Sequence, residues 1–422
     1  MNTDNERALQ LATEAGHILL ENGAEISRVE ETMQRISSHY GVEDQSFFVL
    51  SNGIITTGQN YANAKFIPIK GTQLSRVVAV NQLSRDIANG KREVTLDELA
   101  ARLRDIRASK GHPWWELALG VALGVSSFCI LFGGSLADAA ATFACGVLLG
   151  LFMAFVSPHM SRLLGNLAGG IVGGLLCLLS VSAGFGEHLP NMLIGTIIAL
   201  VPGVPFTNGI RDLANEDYIA GMTRLLDAFL AFLCIALGVM LALILDGWLT
   251  GGLIRLDEPG VDPVASAWYI QLPAVLIGTM GFSALFGAPR RYYLSCGITG
   301  MLGWTLYLSL ISPLTFHLSP STPLHFSVAG AAFFAALLVA VVSHLLAGMR
   351  HCPATVFLIC GIIPLVPGGG IFWTAYHLVA NHLTLAATMG FAAIKVTIAI
   401  AGGIIIATAI GARLYRRLNR HK

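Results

Sequence analysis

Apolar and polar positions follow three different patterns along this chain of 422 residues. From residue 5 to 22, Ala8, Leu11, Ala12, Ala15, Ile18 and Leu19 recur at three- and four-residue spacing, while Glu6, Arg7, Glu14 and Glu21 fall mostly off that stripe. This is the period of an amphipathic helix. The pattern restarts after Asn22-Gly23 with Ile26, Val29, Met33 and Ile36 and stops at Gly41, which predicts a second helix to Tyr40 and a helical hairpin. An extended pattern comes next. Phe47 to Ser51 and Ile54 to Thr57 flank the hairpin signal Asn52-Gly53, and a third strand is expected at Lys65 to Ile69. A helix is predicted from Leu74 to Ala88, and Thr95-Leu96-Asp97-Glu98 has the spacing of a capping box opening a last helix to Ser109. Residues 1–112 therefore read as a soluble α+β domain.

Beyond Pro113 the pattern becomes long apolar runs. Ten of them, centred near Leu123, Val147, Gly174, Ile197, Ile235, Ile277, Gly300, Phe334, Gly361 and Ala401, are long enough to cross a bilayer, which takes roughly 20 residues. Two long polar segments interrupt them, Asn208 to Thr223 and Asp246 to Ala267.

Composition agrees with this division. Only 12% of residues are charged, against about a quarter in a soluble domain. Of the 51 Lys, Arg, Asp and Glu, 27 precede residue 111. The N-terminus has neither the basic stretch nor the apolar run of a signal peptide, so the first domain is expected to stay in the cytoplasm. With that domain inside, Arg162, Arg211, Arg224, Arg290, Arg291, Arg350 and the tail Arg413, Arg416, Arg417, Arg420 and Lys422 all fall in cytoplasmic segments, and Arg255 alone falls outside. Basic residues accumulate on the cytoplasmic side, which favours ten crossings with both termini inside. A net charge of +1 gives no reason to expect a nucleic-acid partner. Six of the seven cysteines lie in apolar runs and Cys352 in a short basic loop, with no CxxC pair, so they read as small apolar fillers rather than as a disulfide framework or metal ligands.

An internal repeat organises the apolar part. Gly195-Thr-Ile-Ile-Ala-Leu-Val201-Pro202-Gly203-Val-Pro205 is echoed by Gly361-Ile-Ile-Pro364-Leu-Val366-Pro367-Gly368-Gly369-Gly370, and Phe128-Cys-Ile-Leu-Phe132-Gly133 by Phe282-Ser-Ala-Leu-Phe286-Gly287. Each half then has five helices with Val-Pro-Gly in the fourth, and an odd number inverts the second half relative to the first. The expected architecture is an all-α bundle of about ten transmembrane helices built as a 5+5 inverted repeat, over residues 113–247 and 268–422, joined by an external linker at 248–267. Such repeats are a recurrent transporter plan, because two similar halves pack in two alternative ways around one site.

Proline removes a backbone donor and glycine does not resist unwinding, so both fourth helices should be broken at Val-Pro-Gly. Helix termini exposed in this way bind polar substrate groups, which makes Pro202, Gly203, Asn208, Pro367, Gly368 and Gly369 substrate-binding candidates. Ionisable residues are costly within a span. Lys395 is the charged candidate for substrate, and Asp138, Asp212 and Asp227 are candidates for coupling or gating. Gly169-Gly170, Gly173-Gly174, Gly120/Gly124 and Gly146/Gly150 read as small faces for close helix packing. Glu25, Arg28, Glu30 and Glu31 are clustered as an anion or substrate site would need, but read in preference as a solvated helix face with local ion pairs. No nucleophile-and-base pair, phosphate loop or dinucleotide fingerprint is present in the first domain, so neither an enzyme nor a cofactor or metal site is expected. A membrane-anchored enzyme or sensor using that domain is the disfavoured alternative, since an anchor needs neither ten helices nor paired breaks.

These residues resemble a known family. Ala15-Gly16-His-Ile-Leu-Leu20-Glu-Asn-Gly23-Ala24-Glu25-Ile-Ser-Arg28-Val29-Glu30-Glu31-Thr-Met33, Asn208-Gly209-Ile-Arg211-Asp212-Leu213 and Ile363-Pro364-Leu-Val366-Pro367-Gly368-Gly369 are similar to the threonine/serine exporter family of bacterial inner-membrane transporters. The resemblance implies a secondary exporter of L-threonine and L-serine driven by the proton motive force. It also implies that both parts of a transporter which some relatives divide between two polypeptides are fused here. Some of those divided relatives are similar to succinate exporters, so a dicarboxylate is the competing substrate. The implied partners are a small polar metabolite and the lipid bilayer, with room for a homo-oligomer.

Overall fold

The computed structural model describes residues 3–59, 61–68, 71–89, 94–251, 262–311 and 326–419. Of the expected linker, residues 252–261 lie outside these, as do Arg255, Arg420 and Lys422, and the side chains of 411–419 are not described.

The N-terminal region is α+β. Helices α1 (Thr3–Glu21) and α2 (Ile26–His39) form the hairpin that the apolar stripe predicts. Strands β1 (Gln45–Leu50), β2 (Gly53–Gly58) and β3 (Tyr61–Phe66) make an antiparallel sheet in sequence order. Leu50 pairs with Gly53, so the hairpin turn is Ser51-Asn52, one residue earlier than Asn-Gly suggested. The third strand also begins earlier than expected, because Gly58 pairs with Tyr61 through a short link and lets β3 zip along the whole edge of β2. Val49, Ile54 and Thr56 turn inward against Ile18, Leu19, Val29 and Met33. Helix α3 (Leu74–Ala88) follows as predicted. In α4 (Leu96–Ala108), Thr95 caps the first turn by accepting a hydrogen bond from the Glu98 N–H.

The rest is helical: α5 (Trp114–Leu131), α6 (Leu136–Phe155), α7 (Arg162–Ser182), α8 (Leu189–Ile197), α9 (Gly203–Ala214), α10 (Tyr218–Thr250), α11 (Trp268–Leu285), α12 (Tyr293–Ile311), α13 (Val328–Arg350), α14 (Thr355–Ile362), α15 (Gly368–Val379) and α16 (Leu383–Asn419). Among the described residues, eight helices are long and apolar enough to cross a membrane, and a ninth span exists if α14 and α15, bent by 55° at their break, count as one. The segment Asn208 to Thr223, expected as a polar loop, is mostly helix. Helix α9 runs to Ala214 and α10 starts at Tyr218, because the polar side chains there find buried partners.

Small residues set the packing. A Cβ on Gly120 would stand 2.7 Å from the Gly281 carbonyl oxygen, and one on Gly281 would stand 2.5 Å from that of Gly120, so α5 and α11 cross in backbone contact. Gly170 and Gly238 bring α7 equally close to α10, and Gly403 seats α16 on α13 at Phe333. Helix α10 also packs on α15, and α16 on α9.

Candidate functional site

The two proline breaks have the same local geometry. Pro202 has φ −76° and ψ 60°, Pro367 φ −75° and ψ 50°. In each, the glycine N–H after the proline donates to the valine carbonyl before it, Gly203 to Val201 at 2.8 Å and Gly368 to Val366 at 2.7 Å. These are inverse γ-turns. Each proline carbonyl then accepts the first helical bond of the next segment, from Phe206 at 3.1 Å and from Ile371 at 3.0 Å. The chain thus ends one helix, turns sharply and starts another whose N–H groups point back at the break. The two breaks adjoin: the Cβ position of Gly368 lies 2.7 Å from Ile198 Cδ1 and 3.8 Å from Val201, and that of Gly369 lies 3.4 Å from Phe132. No Cβ contact within 4 Å would be made at Gly203.

The helices that leave the two breaks differ in character. Helix α15 carries an aromatic run in which Phe372, Trp373, Tyr376 and His377 touch ring to ring, packed among Met192, Leu193 and Ile194. Helix α9 carries buried charge instead. Arg211 Nη2 is 2.7 Å from Glu25 Oε2, and their side chains are only 8% and 3% exposed. The other Glu25 oxygen accepts from Thr355 Oγ1 at 2.7 Å, so one carboxylate of the N-terminal region binds both α9 and α14. Asp212 pairs with Arg224 at 2.7 Å, and Arg224 also donates to the Ala24 carbonyl at 3.0 Å. Asn208 Nδ2 donates to the Gly23 carbonyl at 2.7 Å, and Val204 packs on Gly23. Burial alone would raise the Glu25 pKa. Arg211, Arg28, the Thr355 hydrogen bond and Arg224 outweigh it, so the carboxyl is held below its ordinary value of 4.5.

A second contact docks the N-terminal region beside the first. The Leu74 and Ser75 N–H groups donate to the Phe286 and Gly287 carbonyls at 3.0 and 2.8 Å, and Leu74 and Val78 join an apolar cluster with Val204, Tyr292 and Phe357.

Pro202, Gly203, Pro367, Gly368 and Gly369 thus come together at the breaks, and Asn208 and Asp212 lie beyond the first of them on α9. Three other candidates lie elsewhere. Asp138 is fully buried and caps its own helix: it accepts from the N–H groups of Ser135, Glu187 and His188, with His188 Nδ1 at 2.8 Å. Its carboxylate is consumed in tying α6 to the α7–α8 link. Asp227 is half-exposed, 3.6 Å from Arg162. Lys395 lies on the exposed face of α16 with Phe391, Ile394 and Ile398, because it is Ala393 that turns toward Gly370. The solvated-face reading is corrected for Glu25, which is buried against Arg211, although Arg28, Glu31 and Arg35 do pair locally along α2. Arg211, Arg224 and Thr355 were not site candidates from sequence, and Glu25 was one only through the anion or substrate site that the solvated-face reading of Glu25 to Glu31 outweighs. The signal that could have found them is that Gly23-Ala24-Glu25 and Asn208-Gly209-Ile210-Arg211-Asp212 both combine polar groups with small residues at helix ends.

A family model described as a putative threonine/serine exporter matches residues 10–245, and one described as a threonine/serine exporter matches residues 271–410. The threonine/serine exporter of Corynebacterium glutamicum is 25% identical across 98% of this chain and 83% of its own length. A probable threonine/serine exporter of Mycobacterium tuberculosis is 23% identical across 89% of this chain and 70% of its own. The probable succinate transporter subunit YjjP of Escherichia coli is 26% identical across 59% of this chain and all of its own length. No solved structure matches the chain.

Proposed function

This chain belongs to the threonine/serine exporter family of multi-pass membrane transporters, and from that premise we propose that it exports L-threonine and L-serine across a bacterial inner membrane, driven by the proton motive force. The observation that carries the reading is the pair of matching proline γ-turns, with the N-terminus of α15 against Ile198 and Val201 at the first break. Helix N-termini favour a carboxylate, and Gly203, where a Cβ would meet nothing within 4 Å, lets substrate approach the backbone closely. Pro202, Gly203, Asn208, Pro367, Gly368 and Gly369 form the substrate site in this reading, with Asp212 in the adjoining gate.

The architecture proposed with it is a 5+5 inverted repeat of ten crossings, with both termini cytoplasmic. Paired contacts support it: α5 packs on α6 as α11 does on α12, α7 on α10 as α13 on α16, and α10 on α15 as α16 on α9. The two family models also fall on either side of residues 246–270.

A dicarboxylate is the second reading, favoured by the likeness of 59% of the chain to the probable succinate transporter subunit of E. coli. Counterflow into proteoliposomes under an imposed pH gradient separates the two. Labelled threonine and serine should exchange and depend on the gradient, whereas exchange of succinate alone would overturn the amino-acid assignment.

A further inference from the structure

We propose that Glu25 and Arg211 form a recognition pair for a zwitterionic α-amino acid, Arg211 taking the substrate carboxylate and Glu25 its ammonium group, so that the N-terminal region contributes directly to the binding site. The inference rests on the amino-acid reading above and names the residues that select for it.

Two buried ion pairs stand side by side at this junction, and they are not equivalent. Arg224 is engaged by Asp212 at 2.7 Å and by the Ala24 carbonyl at 3.0 Å, which anchors the loop between α1 and α2. With that anchor and the Asn208 to Gly23 bond in place, the loop is docked without Glu25. The Glu25–Arg211 pair is less complete. Arg211 Nη1 and Asn208 Oδ1 are both buried and have no hydrogen-bond partner among the described residues. The pair thus leaves one guanidinium donor unused beside an unused amide acceptor, hydrogen-bonding capacity that a buried site ordinarily fills.

Its chemistry fits one class of ligand. A zwitterion brings a carboxylate, which needs guanidinium donors, and an ammonium, which needs acceptors. Inserted between Glu25 and Arg211, it replaces one protein ion pair by two ligand pairs and leaves no net charge buried. The spare Arg211 Nη1 and Asn208 Oδ1 supply the remaining donor and acceptor, one for each end of the ligand. A dicarboxylate would set one of its charges against Glu25. The pair also adjoins the first break, since Val204, the residue after Gly203, packs on Gly23 two positions before Glu25.

The test uses the full chain in nanodiscs, with displacement of labelled L-threonine by L-threonine, by N-acetyl-L-threonine, which has no ammonium group, by L-threonine methyl ester, which has no carboxylate, and by succinate. Wild type should prefer threonine to all three. Glu25→Gln should weaken threonine by about tenfold or more, the worth of a charged hydrogen bond, and leave N-acetyl-threonine unchanged. Arg211→Gln should do the same to threonine and leave the methyl ester unchanged. Glu25→Asp and Arg211→Lys keep the charges and should keep the wild-type ranking at lower affinity, and they carry the test if a glutamine variant does not fold. Equal weakening of every ligand in both glutamine variants, or a lost ranking in the charge-preserving ones, would show the pair to be a latch and overturn the proposal. If wild type binds neither threonine nor serine, the amino-acid reading itself falls, and that outcome is distinct from a uniform loss in the variants.

Discussion

The two breaks share a backbone and differ in what surrounds them. Pro202 and Pro367 make the same γ-turn, yet the first opens onto α9 with Asn208, Arg211 and Asp212 buried against the N-terminal region, and the second onto α15 with its run of touching aromatic rings. Even the first turns differ: α9 starts Gly203-Val204-Pro205 and gives up an N–H at Pro205, whereas α15 starts Gly368-Gly369-Gly370 and keeps every donor. The same broken-helix geometry thus occurs twice with different chemistry around it, charged at the first break and aromatic at the second.

The sharpest way to break the comparison is to remove charge from the first side. Arg211→Ala leaves the Glu25 carboxylate buried without its guanidinium, and such losses cost about 3–5 kcal/mol. Thermal unfolding in detergent should show it, together with faster proteolysis between the N-terminal region and the bundle. On the second side Trp373→Ala should cost about 3 kcal/mol by emptying the aromatic stack, without exposing the N-terminal region to protease. Glycines near the breaks sharpen the contrast. A methyl at Gly195 meets backbone atoms of Cys129 at 2.9 Å, which cannot yield, while one at Gly361 meets the Thr299 side chain at 2.7 Å, which can turn. Gly195→Ala should therefore lose about 2 kcal/mol and Gly361→Ala clearly less, measured by melting temperature. Gly203→Ala, which meets nothing within 4 Å, should change stability by less than about 0.5 kcal/mol and still impair transport.

A pH series gives a smaller effect confined to the charged side. The Glu25 pKa is lowered in the folded chain, so its contribution is fully present above the ordinary value of 4.5 and is lost as pH falls through the folded value. The stability gap between wild type and Glu25→Gln should accordingly stay constant above pH 4.5 and shrink below it. Smallest of all, Lys395→Met should leave transport near the wild-type rate, because Lys395 lies on the exposed face of α16 rather than at the breaks. A large loss would return Lys395 to the substrate path.

Much of the fold was legible in advance. The amphipathic stripe of α1, the period change at the strands, the Thr95 cap and the lengths of the apolar runs are local signals, and each structure they announce is stabilised within a few residues of its cause. The breaks were legible for the same reason, since Val-Pro-Gly acts on its own backbone. The candidate site was only half legible. Asp138 looked like a coupling acid because sequence shows a charge in an apolar run and not the three N–H groups, two of them from Glu187 and His188, that use it as a cap. Glu25 looked solvated because its partners Arg211 and Thr355 lie 186 and 330 positions away.

The sequence by itself determined where this chain turns apolar, where its helices must fail and which family it joins, because hydrophobic period and proline chemistry are properties of neighbouring residues. Only the tertiary structure decided which charges matter. An ion pair acquires its meaning from burial and from the distance to its partner, and both arise only when the loop between α1 and α2 closes over α9 and α14.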